Sequence, residues 1–169
     1  MMRASTASSW SRDLGSGFLA ITVVAGTSVV GQFATYPNLA PWYAGLIKPS
    51  FNPPNWGFGP IWTTLYLLMA FSVWRILRLP SGSPARRWAL GLFFAQLVFN
   101  AAWSWAFFAA RNSLLGLIDI VLQILLIVAT ILAFYRIDRV GVAGCCLIPL
   151  AGWVCFAAVL NFSIWRLNS

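Results

Sequence analysis

With 169 residues, 60% hydrophobic, 16% aromatic and only 8% charged, and with a mean hydropathy of +0.81, the chain carries more apolar surface than a globule of its size can hide from water. The bilayer has to serve as its solvent. The net charge of +8 comes from eleven Lys and Arg scattered between apolar runs, which form no basic face for nucleic acid and read instead as loop charges that set orientation. The chain has no histidine and no glutamate, and its acids are Asp13, Asp119 and Asp138. That inventory rules out catalysis through a histidine base and metal sites built on histidine. Cys145, Cys146 and Cys155 lie inside or at the edge of one apolar run without the ligand spacing of a zinc or iron-sulfur site, so neither a metal nor a disulfide framework is expected.

Residues 1–13 are rich in Ser, Ala and Arg and read as a short disordered polar tail; the run behind them is too long for a signal-peptide core. Residues 14–169 then hold five runs close to the ~20 residues that cross ~30 Å of hydrocarbon. The predicted spans are Leu14 to Thr35, Pro60 to Leu79, Trp88 to Ala110, Leu114 to Tyr135 and Val142 to Trp165. Backbone polar groups in lipid must be satisfied within each segment, and uninterrupted runs do not alternate as barrel strands do. The expected fold is therefore an all-α integral membrane protein, a five-helix transmembrane bundle with antiparallel neighbours. In the first span Gly15, Gly17, Gly26 and Gly31 interleave with Ala20, Ala25 and Ser28, a small-residue set for tight packing inside the bundle or for self-association.

Between the first two spans lies the stretch from Trp42 to Tyr66, which holds Trp42, Trp56, Trp62, Tyr43, Tyr66, four prolines and the only lysine, Lys48. Pro53 and Pro54 remove two backbone donors and push Asn52 towards extended geometry, which predicts a stiff, ordered loop. Its aromatics are either interface anchors or the lid and wall of a pocket for a flat apolar ligand.

Polar groups inside spans mark the bundle interior or a site. Gln96, Asn100, Trp103 and Phe107 in the third span are spaced by four, three and four and share one helical face. Trp153, Ala157 and Asn161 do the same in the fifth span, and Trp62, Tyr66 and Met69 in the second. Each stripe alone can be ordinary helix contact, with Asn as polar glue. Together with the loop they describe a cavity with flat walls and a few amide or hydroxyl groups. Asp119, with Gln123 one turn on, is the only carboxylate inside a span; it is a site candidate, or it meets water or Arg111 near the span's end.

Eight basic residues (Arg3, Arg12, Arg75, Arg78, Arg86, Arg87, Arg136, Arg139) fall on the amino-terminal side and three (Lys48, Arg111, Arg166) on the other. In an inner membrane, that bias puts the amino terminus in the cytoplasm.

The run Trp42-Tyr43, Lys48-Pro49, Pro53-Pro54, Trp56, Pro60, Trp62, Leu65-Tyr66 resembles the signature of the TspO/MBR family, tryptophan-rich sensory proteins related to the mitochondrial translocator protein or peripheral benzodiazepine receptor. Asn100, Trp103, Phe107-Phe108, Arg111, Asp119, Pro149, Trp153, Leu160-Asn161 and Trp165-Arg166 continue the match in order. The resemblance implies a bacterial multi-pass membrane protein, a homodimer, and a pocket for porphyrins and benzodiazepine-type ligands. That pocket would be lined by Tyr43, Pro53, Trp62, Tyr66, Asn100, Trp103, Trp153, Ala157 and Asn161 and covered by the loop. The chain departs from the family at Phe51, at Trp105, where proline is common, and at Leu150, where Tyr is. The proposed cholesterol motif needs a central tyrosine where Leu160-Asn161-Phe162 stands, which speaks against sterol recognition.

The expected function is that of a membrane receptor or sensor for protoporphyrin or a related tetrapyrrole, with no cofactor required. The alternatives are a light- and oxygen-dependent protoporphyrin-degrading enzyme, with Trp62 and Trp153 as redox-active candidates, and a porphyrin or amphipath transporter. No acid-base machinery is present, so catalysis would have to be photochemical or radical. Inverted repeats and embedded ion-coupling pairs that favour a transporter are lacking.

Overall fold

The computed structural model describes residues 3–40 and 42–169. Its elements are α1 (Arg3–Leu39), a 3-10 turn (Tyr43–Gly45), α2 (Asn55–Leu77), α3 (Pro84–Ser104), a π-helical turn (Trp105–Ala109), α4 (Ser113–Ile137), the short α5 (Val142–Cys145) and α6 (Ile148–Leu167). Among the described residues, five stretches are long and apolar enough to cross a membrane: Asp13–Leu39, Asn55–Leu77, Pro84–Ala109, Ser113–Ile137 and Val142–Leu167. The protein is an all-α, five-span integral membrane protein. Its outer surface bears large apolar side chains such as Phe18, Leu67, Val98 and Leu125, each at least 63% exposed, as a lipid-facing surface requires.

Several boundaries differ from the sequence expectation. Residues 3–13 of the expected disordered tail continue α1 as helix; Met1 and Met2 lie outside the described residues. No Gly or Pro interrupts the chain before Gly15, and extending an existing helix avoids the cost of a new nucleus. α2 starts at Asn55, five residues before the predicted Pro60, despite Gly57, Gly59 and Pro60. Pro54 sits at the N-cap in extended geometry, so the Pro-Pro pair leads into this helix. The fifth span is broken at Cys146 and Leu147, where Pro149 has no N–H to continue the ladder.

Around the bundle the helices run α2, α1, α3, α4, α6, and α5 closes the ring at one end by packing on α2. Ser72 Oγ donates to the Ala143 carbonyl at 2.6 Å, and Arg75 forks onto Asp138 at 3.1 and 3.2 Å. Asp138 also accepts from the Ala143 N–H at 2.8 Å. These bonds hold the α4–α5 link against α2. The main core surrounds Met69, Ile76, Phe93 and Phe134, the two Phe rings stacked at 5.8 Å. A second cluster of Tyr43, Phe107, Phe108, Leu160 and Ile164 lies under the loop. The first span's glycines divide: an added Cβ at Gly31 would press on Ser104 Oγ at 3.2 Å, whereas Gly15 and Gly26 face open space.

Candidate ligand-binding site

One turn apart on α2, Trp62 and Tyr66 stack at 5.5 Å with 29° between their planes. The Tyr66 hydroxyl crosses to α3 and donates to Asn100 Oδ1 at 2.9 Å. Asn100 is only 5% exposed, yet its Nδ2 has no partner among the described residues. A buried amide donor left unpaired is costly, which makes Asn100 the least satisfied member of an otherwise bonded group.

Trp103, a turn further along α3, donates from Nε1 to Asn161 Oδ1 at 3.2 Å. Asn161 Nδ2 donates in turn to the Ser113 carbonyl at 2.6 Å, so both ends of this amide are occupied. It ties α3, α4 and α6 together, the glue role of an intramembrane amide. Trp103 also stacks on Phe107 at 5.2 Å and 16°. The π turn, closed by the Ala110 N–H on the Trp105 carbonyl at 2.8 Å, lets the sequence neighbours Phe107 and Phe108 both be buried.

The loop rests on these rings. Tyr43 packs 6.3 Å from Phe107 and 5.6 Å from Phe108, and its hydroxyl donates to Asn52 Oδ1 at 3.2 Å. Burial pushes the Tyr43 phenol pKa above its ordinary value, with the Asn52 bond opposing. The Lys48 ammonium lies 4.5 Å from the Tyr43 ring centre, a cation–π contact. Asn52 Nδ2 donates to the Pro53 carbonyl at 2.9 Å, which fixes the approach to α2. Asn168, just past α6, accepts from the Ile47 N–H and donates to the Ile47 carbonyl, both at 2.9 Å. The loop is thereby clamped to the carboxyl end of the bundle.

α6 packs on α2 only marginally, and a cleft of about 490 Å³ opens between them. Its walls are Pro60, Ile61, Thr64 and Leu65 on one side and Pro149, Gly152, Trp153 and Phe156 on the other. Phe58 meets Trp153 edge-on at 5.9 Å. Of the nine residues proposed from the sequence, only Trp153 lines this cleft.

The other eight lie inward or belong to the loop itself. Trp62, Tyr66 and Asn100 form one bonded group; Trp103 and Asn161 form another, which Tyr43 joins through Phe107. Pro53 stands behind Tyr43 by way of Asn52, and Ala157 is half-buried a turn beyond Trp153. Trp62, Tyr66, Trp103, Trp153 and Ala157 all pack on the same main core. Phe58 and Phe156 share helical faces with Trp62 and Trp153, a spacing signal that the sequence carried. Asn52 and Asn168 lie outside every stripe and gave no such signal.

Asp119 is buried, with Oδ2 unpartnered, while the Arg111 guanidinium lies 3.4 Å from Asn38 Oδ1. Gln96 on α3, whose Nε2 points to Met69 Sδ on α2 at 3.8 Å, and Gln123 on α4 are also buried, each with one atom unpartnered among the described residues.

These elements define a class: a five-span membrane protein with an aromatic and amide interior, an ordered aromatic loop over one end and an apolar cleft in its side. The chain belongs to the TspO/MBR family, whose profile matches residues 18–166. It is 38% identical over 149 residues to the tryptophan-rich protein TspO of Archaeoglobus fulgidus, covering 88% of this chain and 94% of that one. It is 38% identical over 128 residues to the human translocator protein, 75% of each chain. The tryptophan-rich sensory protein of Cereibacter sphaeroides is 36% identical over 127 residues, 75% of this chain and 77% of the relative.

Proposed function

We propose that this protein is a membrane receptor or sensor of the TspO type that binds a tetrapyrrole or similarly flat apolar ligand between its aromatic side chains. The observation that supports this reading most is the Asn100 Nδ2, a buried donor without an acceptor beside the Trp62–Tyr66 stack. A ligand with flat faces and an acceptor at its edge would satisfy both. The name of the Cereibacter sphaeroides relative, a tryptophan-rich sensory protein, supports a sensor.

The pocket we assign uses Tyr43, Pro53, Trp62, Tyr66, Asn100, Trp103, Trp153, Ala157 and Asn161, with the loop as its cover. A homodimer, and an amino terminus on the cytoplasmic side of an inner membrane, belong to the same reading; the arginine-rich rim supports the orientation.

With no histidine in the chain, face recognition should outweigh metal ligation. Purified protein is therefore expected to bind metal-free protoporphyrin at least as well as haem, with quenching of tryptophan fluorescence. Trp153→Ala should lose about tenfold in affinity or more. Strong preference for haem, with a spectrum of protein-ligated iron, overturns face recognition, and retained affinity in the Trp153 variant overturns the placement. Product analysis after illumination in oxygen separates the receptor from a porphyrin-degrading enzyme.

A further inference from the structure

A second groove, of about 320 Å³, lies on the opposite flank between the start of α3 and the end of α4. Leu92, Ala129, Leu132 and Ala133 line it with apolar atoms, Trp88 stands beside it 70% exposed, and Arg136 sits in the last turn of α4. The chain has only three acids to set against its arginines. Asp13 is taken by Arg78 at 2.9 Å and Asp138 by Arg75 at 3.1 Å. Asp119 lies seventeen residues from Arg136 on the same helix (136 − 119 = 17), about 25 Å along its axis. No side-chain carboxylate of this chain is therefore free to meet Arg136, whose guanidinium is permanently charged.

We propose that this groove is a site for an anionic phospholipid, its phosphate on Arg136 and an acyl chain along Leu92, Leu132 and Ala133. Charge selects the headgroup, since the counter-anion has to come from outside the chain. The apolar floor selects an amphiphile over a free anion, and Trp88 is the kind of ring that sits at headgroup level. Arg87, exposed in the first turn of α3, adds a second cation to the same rim.

The test is native mass spectrometry of the detergent-purified full chain with phosphatidylglycerol and, separately, phosphatidylcholine. Wild type is expected to retain phosphatidylglycerol preferentially, and Arg136→Gln to lose about fivefold in that retention with phosphatidylcholine unchanged. Leu132→Trp, which fills the groove and keeps the charge, should lose it too while the melting temperature holds. Arg139→Gln, an exposed arginine of the same rim that does not line the groove, should change little. Equal retention of the two lipids by wild type, an undiminished Arg136→Gln, an undiminished Leu132→Trp, or an equal loss in Arg139→Gln would overturn the site. Displacement of the lipid by millimolar inorganic phosphate would show a free-anion site and overturn the lipid assignment.

Discussion

Asn100 and Asn161 are chemically identical and differ only in what surrounds them. Asn161 spends its acceptor on Trp103 and a donor on Ser113, so it is structural in the geometry seen here. Asn100 accepts from Tyr66 and keeps its donor unused. Removing the Tyr66 hydroxyl should therefore cost little ligand affinity, because the amide remains to meet the guest. Tyr66→Phe is expected within about threefold of wild type and Asn100→Ala about tenfold weaker, the span of one hydrogen bond; porphyrin titration of both checks this. Asp138 offers a different test. The Arg75 fork first, and the Ala143 N–H after it, hold its carboxyl below the usual carboxylate range. A pKa lowered by folding stabilises the protein above the ordinary value near 3.9 and loses that contribution as pH falls through the lowered one. Asp138→Asn should destabilise by about 2 kcal/mol at neutral pH and remove this part of the acid limb. Thermal melts of both proteins from pH 7 down to about 2 would show two curves that keep their separation to about pH 4 and converge below it.

At the scale of elements, the loop is held by contacts in its first half as well as by its prolines. Pro53 and Pro54 set the approach to α2, but the Ile47–Asn168 pair and the Tyr43 seat on Phe107 and Phe108 fix the loop on the bundle. Asn168→Ala removes both bonds to Ile47 at once, together with the Nδ2 donation to the Ile164 carbonyl. Amide exchange is expected to rise in residues 43–52 and stay unchanged in α3 and α4; no change in the loop would mean that the aromatic seat alone holds it. The five spans were legible because lipid demands continuous apolar runs, and the residues that share a face on α3 and on α6 were legible from spacing. The first turns of α2 were not. Local propensity at Gly57, Gly59 and Pro60 argues for loop, while an apolar solvent makes internal hydrogen bonding obligatory and wins. The π turn at Trp105 and the tie made by Asn168 depend on partners distant in sequence, which no local pattern reports.

On the scale of the whole molecule, periodicity tells which residues share a face but not which helix that face meets. Spacing makes the Trp153 stripe one wall of a flat-sided cavity, and the ring order α2, α1, α3, α4, α6 leaves α6 and α2 as loosely joined neighbours with Trp153 in the gap. The gap is apolar on both sides and faces the bilayer, where a flat hydrophobic ligand would concentrate. On the tetrapyrrole-binding reading it is the route from lipid to the Trp62–Tyr66 stack, and Trp153, edge-on to Phe58, is the pocket wall that this route reaches first. Gly152 lines that cleft, and a Cβ added there meets nothing within 4 Å, so a side chain can start from this position without pressing on a neighbour. Gly152→Phe should leave the melting temperature within a few degrees of wild type and slow ligand association about tenfold. Since it blocks access and not the seat, dissociation should slow in proportion and equilibrium affinity change little. Stopped-flow quenching of tryptophan fluorescence in nanodiscs measures both rates. An unchanged association rate would move the route elsewhere, and a lost affinity with unchanged dissociation of the residual complex would make the cleft itself the binding seat.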